Sequence, residues 1–268
     1  SSNKYELYGI KKLRELILEL AVRGKLVPQD PSDEPASVLL ERIAAEKAEL
    51  IKAKKIKKTK ALPPIADEEK PFELPVEWQW CRLSLIADLI TSGSRDWAKY
   101  YSESGAKFIT MGNLSRGSYD LRLDNIRYVT PPKNTEGNRT RLLADDIVIS
   151  ITGDVGNLAL IPEDFGEAYI NQHSCLVRLN DLIKGLYIPE YFRSPSARLQ
   201  FDAPQRGIKN SFRLSDIDKL IIAIPPLAEQ HRIVAKVDEL MALCDQLEQQ
   251  TEASIEAHAT LVETLLST

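Results

Sequence analysis

IPPLAEQHRIVAKVDELMALCDQL, residues 224–247, decides how this chain is read. Pro225 and Pro226 stop whatever precedes them, because proline supplies no amide donor. Beyond them Ile233, Val237, Leu240, Cys244 and Leu247 alternate spacings of four and three, which is a heptad seam. Thr251, Ser254 and His258 take the next seam positions, and Leu261 and Leu265 resume the apolar stripe. No glycine or proline follows Pro226 up to residue 266. The pattern predicts a continuous helix of about 38 residues, roughly 57 Å long at 1.5 Å per residue. One domain does not cover such a helix on all sides, so its seam needs another long helix, from this chain or from a second copy.

Upstream of the prolines the texture is different. Between Trp78 and Ile224, short apolar runs such as 107–110, 146–150 and 158–161 are separated by clusters of Gly, Asn, Asp and Pro. That punctuation predicts a strand-rich domain with long polar loops, mixed α/β (α+β) with a partly antiparallel sheet, and helical pieces at 83–90 and 188–202. Further back, Leu7, Ile10, Leu13, Ile17, Leu20 and Ala21 recur at helical spacing, and Gly24 is a natural stop. A second helix is expected to start near Ser32 or Asp33, with Glu34 and Pro35 in its first turn and Leu39, Leu40, Ile43, Leu50 and Ile51 as its buried stripe. Residues 52–60 hold six lysines, read as a solvated helix end running into a linker. Four prolines within 61–77 mark a boundary. The expected division is a helical segment 1–62, a linker 63–77, a globular domain 78–225, and the long helix 226–268 of coiled-coil type.

Bulk properties exclude little. With 43% apolar and 28% charged residues the chain is ordinary globular material. No stretch approaches the roughly 20 apolar residues of a membrane helix. The start lacks a signal peptide's apolar core, and Cys81, Cys175 and Cys244 form no ligand pair or disulfide framework, so a cytoplasmic location is expected. The net charge of −4 is uneven: residues 226–268 hold 2 basic and 8 acidic side chains, whereas residues 76–225 hold 18 of each. A neutral middle still accommodates a basic face toward nucleic acid.

Several segments together resemble the specificity subunits of type I restriction-modification systems. They are 21–50 (AVRGKLVPQDPSDEPASVLLERIAAEKAEL); Leu74-Pro75 with Trp78, Trp80 and Leu83; 144–150 with Gly153 and Gly156; and 207–230, ending in Ile224-Pro225-Pro226-Leu227-Ala228-Glu229-Gln230. The resemblance implies a target recognition domain that binds double-stranded DNA and directs DNA methylation and restriction. It implies no catalytic site in this chain. The partners it implies are the methylation (M) subunits, bringing S-adenosylmethionine, and the restriction (R) subunits, bringing ATP and Mg. The usual family member carries two recognition domains alternating with two long helices, whereas this chain has one of each. It looks like a first half, natural or truncated. The competing reading is a helical scaffold or protein-interaction module without direct DNA binding.

Catalytic motifs fail residue by residue. Pro63-Pro64, Pro131-Pro132 and Pro225-Pro226 are followed by Ile65, Lys133 and Leu227, not by the aromatic of an adenine methyltransferase motif. Residues 152–156 are too short for a cofactor glycine loop and read as a tight turn after a strand. There is no phosphate-loop sequence. Glu68-Glu69-Lys70 lies in the linker, and His173, His231 and His258 are scattered, so no metal cluster is expected.

Sequence readout needs donors and acceptors on loops at base edges, with cations on phosphates. Four polar loops qualify: Ser94 and Arg95 before Trp97; Asn113 and Arg116; Arg139 and Arg141; and Arg206, Lys209 and Asn210. For the long helix, Val237, Leu240, Cys244 and Leu247 are expected to pair with a second copy through 229–266, in antiparallel fashion. The alternative is that the amino-terminal helices fold back over the seam.

Overall fold

The structure is a computed structural model that describes residues 2–133, 136–202 and 211–267. Helix α1 (Ser2–Val22) buries Ile10, Ile17, Leu18, Ala21 and Val22 on one stripe. It stops where Gly24 turns to φ 70°, with no room for a Cβ, which would stand 2.4 Å from Pro75 Cγ. Helix α2 (Ala36–Lys52) starts later than the expected Ser32 or Asp33, with Pro35 at its N-cap. Three effects delay it. Asp30 accepts from the Ser32 amide at 2.9 Å in a local turn. Asp33 is held by Arg232 at 2.6 Å. Pro35 disfavours helical backbone at Glu34. The stripe of α2 buries Leu39, Leu40 and Ile43, leaves Leu50 and Ile51 half-buried, and includes the buried Lys47.

Residues 61–77 do not hang free. Phe72 and Leu74 pack on the main core, and the Phe72 ring lies 5.0 Å from that of Trp80. Strand β1 (Gln79–Arg82) follows, then one turn of helix, α3 (Leu83–Ile86). The helix expected over 83–90 ends there. Residues 87–92 are strand β2 (Ala87–Ser92), because they pair with β9 (Ser174–Leu179) and the ladder outweighs local helical spacing. Between them come β3 (Tyr101–Ser102), β4 (Ala106–Ile109), β5 (Arg127–Val129), β6 (Ile147–Ser150), β7 (Leu158–Leu160) and β8 (Ala168–Ile170). Helix α4 (Tyr187–Arg193) and helix α5 (Pro195–Asp202) replace the single helix expected over 188–202. The break is Ser194 at ψ 150°, which Pro195 holds out of the helical region. Helix α6 (Leu214–Asp218) and strand β10 (Ile221–Ile224) lead into α7 (Leu227–Leu266).

Pairing of β1 with β10, Gln79 opposite Ile224, clasps the two ends of the 78–225 segment together. Inside it are two four-stranded sheets, β2-β9-β6-β7, all antiparallel, and β3-β5-β4-β8, in which only β4 and β8 run parallel. The first sheet is a middle layer. Ile147 and Ile149 face the core shared with the helices, while Val148 faces the second sheet; Cys175 and Val177 against Leu176 repeat the pattern on β9. Burial on both faces is why 147–149 reads as an unbroken apolar run. The second sheet's far face carries an aromatic cluster of Trp97, Phe108 and Tyr169.

Helix α7 has 40 residues, about 60 Å at 1.5 Å per residue. Its proximal seam is covered within the chain. Helix α1 runs antiparallel along it, Val237 and Cys244 are buried, Leu240 is half-buried, and Arg14 bridges Asp245 and Glu248 at 2.6 Å each. Leu247 is exposed, as are Leu261 and Leu265.

Candidate nucleic-acid interface

Four strand ends meet at one end of the middle sheet: Ser92 beside Cys175, Ser150 beside Ser174, and Leu158 beside Ile149. The loops that leave these ends are tied to one another by backbone pairing. Ser94 bridges Asn171, Thr152 bridges Ser211, and Ser115 exchanges two bonds with Leu158 at 3.0 and 2.8 Å. The Ile151 amide donates to the His173 carbonyl at 2.9 Å, and the Phe212 amide donates to Ile151 at 2.8 Å. The result is one continuous polar rim made of 93–97, 110–116, 151–157, 171–173 and 211–212. It lies at the end of the sheet away from α2, whose Lys47 reaches Ala87 at the opposite end of β2.

Three glycines make the rim possible. A Cβ on Gly93 would fall 2.1 Å from the Ile170 carbonyl oxygen, so only glycine lets β2 pass β8 there. In the 151–157 turn, Gly153 and Gly156 have φ 74° and 84°, the tight turn expected from the sequence. Ser150 Oγ accepts from the Asn157 amide at 2.9 Å and donates to the Asp154 carbonyl, closing that turn.

The candidates named from the sequence divide over this geometry. Ser94 and Arg95 lie on the rim, Arg95 exposed. Arg116 also projects from it, 53% exposed and paired with Asp154 at 2.5 Å. Asn113 is on the rim but buried, and its amide shapes the loop: Oδ1 accepts from the Thr110 amide at 2.9 Å, and Nδ2 donates to the Arg122 carbonyl at 2.8 Å. Arg139 is exposed on a 3₁₀ turn, Glu136–Thr140, beside the aromatic cluster. Arg141 stands apart. Its carbonyl accepts from Arg178 and its neighbour Leu142 bonds to Ala168, so it belongs to the opposite end of β8. Arg206, Lys209 and Asn210 lie outside the described residues.

Sequence reasoning missed Arg198. It rises from α5, donates through Nη1 to the Gly156 carbonyl, and keeps a buried Nη2 without a partner among the described residues. Burial and then the neighbouring Arg116 guanidinium pull its pKa below the usual arginine value. Two guanidiniums and one carboxylate, Asp154, are therefore clustered at the turn. The Asn171-Gln172-His173 trio was also missed, although three polar residues between two apolar strands was the available signal. Among the described residues, no group of three or more His, Cys, Asp or Glu is arranged to hold a metal, and no helix is long and apolar enough to cross a membrane.

This arrangement has relatives. The family of type I restriction-modification DNA specificity domains matches residues 75–257. The specificity subunit of the type I restriction enzyme EcoAI of Escherichia coli is 42% identical over 282 residues, covering 100% of this chain and 46% of the relative. The EcoEI specificity subunit, also from Escherichia coli, is 40% identical over 287 residues, with 100% and 45% covered. The chain thus spans about half the length of these curated relatives. A chain from a structural study of complex assembly and conformational transition in a type I restriction-modification system shares the fold. It superposes with a TM-score of 0.57 at 18% identity over 98% of this chain and 57% of that one.

Proposed function

Since the chain belongs to the family of type I restriction-modification DNA specificity domains, we propose that its work is to read a sequence in double-stranded DNA and hold partner subunits there. The observation that supports this best is the rim. Five polar segments, distant in sequence, are cross-tied on one sheet end; Arg95 and Arg116 project from them, and Arg198 of α5 reaches the 151–157 turn beside Arg116. Loops held by a sheet give the fixed register that base readout requires. Residues 78–225 are the recognition domain in this reading, and 226–268 is the helix that spaces and assembles it.

The chemistry belongs to partners. Methylation subunits bring S-adenosylmethionine, and restriction subunits bring ATP and Mg; this chain contributes no catalytic group. DNA as target, together with three buried free thiols, fits the cytoplasm.

Salt dependence separates this reading from a helical scaffold. Titrating the full chain onto a random-sequence duplex is expected to give a log–log salt slope of about −0.9 for each phosphate neutralised. A flat dependence, or no binding at low salt, favours the scaffold.

Pairing of two copies through α7 is also proposed, over a shifted surface. With α1 occupying the proximal seam, the exposed apolar residues offered to a second copy are Leu247 and Leu261 rather than Val237 and Cys244. Sedimentation of the wild type beside a Leu247→Glu, Leu261→Glu variant tests it. A wild-type dimer that the variant dissolves is expected, and a wild-type monomer at tens of micromolar contradicts it.

A further inference from the structure

The centre of the rim is the turn 171–174, which leads into β9, the strand between β2 and β6. Its backbone is tied on both sides. Toward β2, Asn171 bridges Ser94, and the Ser174 carbonyl accepts from the Gly93 amide at 3.3 Å. Toward β6, the His173 carbonyl accepts from the Ile151 amide at 2.9 Å. Within the turn the Asn171 carbonyl accepts from the Ser174 amide at 3.3 Å, and Asn171 Oδ1 accepts from the His173 amide at 3.0 Å. The half-buried side chains of Gln172 and His173 take no part in this bracing. They meet each other instead, Gln172 Nε2 to His173 Nε2 at 3.1 Å. Gln172 Oε1 and His173 Nδ1 have no partner among the described residues, and neither is sealed from solvent. Cations stand to either side: Arg95 follows Ser94, and Arg116 pairs with Asp154 in the 151–157 turn.

We propose that Gln172, held by His173, reads an adenine in the major groove of the DNA target. The proposal rests on the DNA-binding reading above and assigns one base contact within it. When Gln172 gives one amide hydrogen to His173 Nε2, it keeps its other hydrogen and the whole of Oε1. A donor and an acceptor side by side complement adenine, which offers its N6 hydrogens and the N7 lone pair in that groove. Guanine presents two acceptors there and would set an oxygen against Oε1. An uncharged amide suits a base edge, whereas the flanking arginines suit phosphates. His173 is a positioning residue: by taking the Gln172 hydrogen it orients the amide before DNA arrives, which lowers the ordering cost of binding.

The test is selection of duplexes from a randomised pool by the full chain, beside Gln172→Ala, Gln172→Glu and His173→Ala, with affinity for the wild-type motif followed by fluorescence anisotropy over a salt series. The wild-type motif is expected to hold an adenine at one position where Gln172→Ala loses its preference. That variant should bind the motif about 5- to 150-fold more weakly, the discrimination of one bidentate base contact. Its salt slope should not change, because an amide neutralises no phosphate. Gln172→Glu is expected to move the preference at that position to cytosine, whose N4 group donates to a carboxylate. This variant keeps the side chain's size and carries the test if Gln172→Ala does not fold. His173→Ala should keep adenine there with a weaker preference, and a preference equal to the wild type's overturns the positioning role. A Gln172→Ala motif identical to the wild type's overturns the base contact while sparing the DNA reading. So does a loss spread evenly over all positions, or one accompanied by a smaller salt slope, since either marks a backbone contact. A loss at a position that holds another base overturns the adenine assignment. A wild type that binds duplex but selects no motif, or binds none, ends the DNA-sequence reading itself.

Discussion

Gly156 holds two constraints at one backbone position: φ of 84°, and a Phe201 ring whose Cγ would lie 2.7 Å from any Cβ. Gly156→Ala is therefore expected to cost about 1–2 kcal/mol for the left-handed backbone and a further roughly 1–3 kcal/mol for overpacking. Urea denaturation measures it, and a loss under about 0.5 kcal/mol, the range of neutral surface changes, contradicts the account. The sequence showed this glycine as part of a turn, because Gly153 and Gly156 follow an apolar strand. It did not show Phe201, which is remote in the chain. Glu229 teaches the same lesson from the other side. Fully buried, it accepts from Trp78 Nε1 and Gln29 Nε2 at 3.0 Å each. It joins the start of the 78–225 segment, the α1–α2 connection and the long helix. In the sequence these three residues were letters in separate matching segments, and only the fold supplies the reason they occur together.

Among the elements, helix α2 departs most instructively from its pattern. Its stripe reads Leu39, Leu40, Ile43 and then Lys47, where an apolar residue was due. Lys47 is buried, and its Nζ donates to the carbonyls of Ser84 and Ala87 at 2.6 Å each, docking α2 onto the α3–β2 junction. Burial pulls its pKa below the usual 10.5, against the opposing pull of Asp88 and Asp218. A base whose folded pKa lies below its unfolded one binds fewer protons folded than unfolded between the two values. Stability therefore rises with pH in that window and levels off above the unfolded pKa. Compared with Lys47→Met, the wild type is expected to gain stability as pH rises through the window below 10.5. Parallel urea midpoints for the two proteins check this; a constant or shrinking difference contradicts it. Helix boundaries set by proline, at Pro35 and Pro195, were less legible than helices themselves, because residues before proline yield their helical backbone while keeping a helical sequence pattern. For α7 the heptad spacing was enough to read the helix. Its partner was not, since α1 and a second copy offer the seam the same apolar chemistry.

For the whole molecule, the layer order follows from which strands are apolar on both faces. Ile147-Val148-Ile149 and Cys175-Leu176-Val177 could be recognised as buried runs, and they form the central strands of the middle sheet. The convergence of the loops could not be read. It depends on register, with the ends of β2 and β6 and the starts of β7 and β9 at one level, and the β2–β9 part of that register is set by Ser92 pairing with Cys175, remote in the chain. Polar loops carry no periodic signal of their own, so Arg141 and Arg116 looked equivalent in sequence and fall at opposite ends of the sheet. We propose that this rim reads DNA sequence for a methylating partner. The direct measurement is to copurify the chain with its methylation subunit, let the complex methylate genomic DNA, and sequence every modified site. One defined sequence motif is expected, lost or altered when Arg95, Arg116 and Arg198 are replaced by Gln while the complex still assembles. Methylation without a motif, or a motif unchanged by those substitutions, would contradict it.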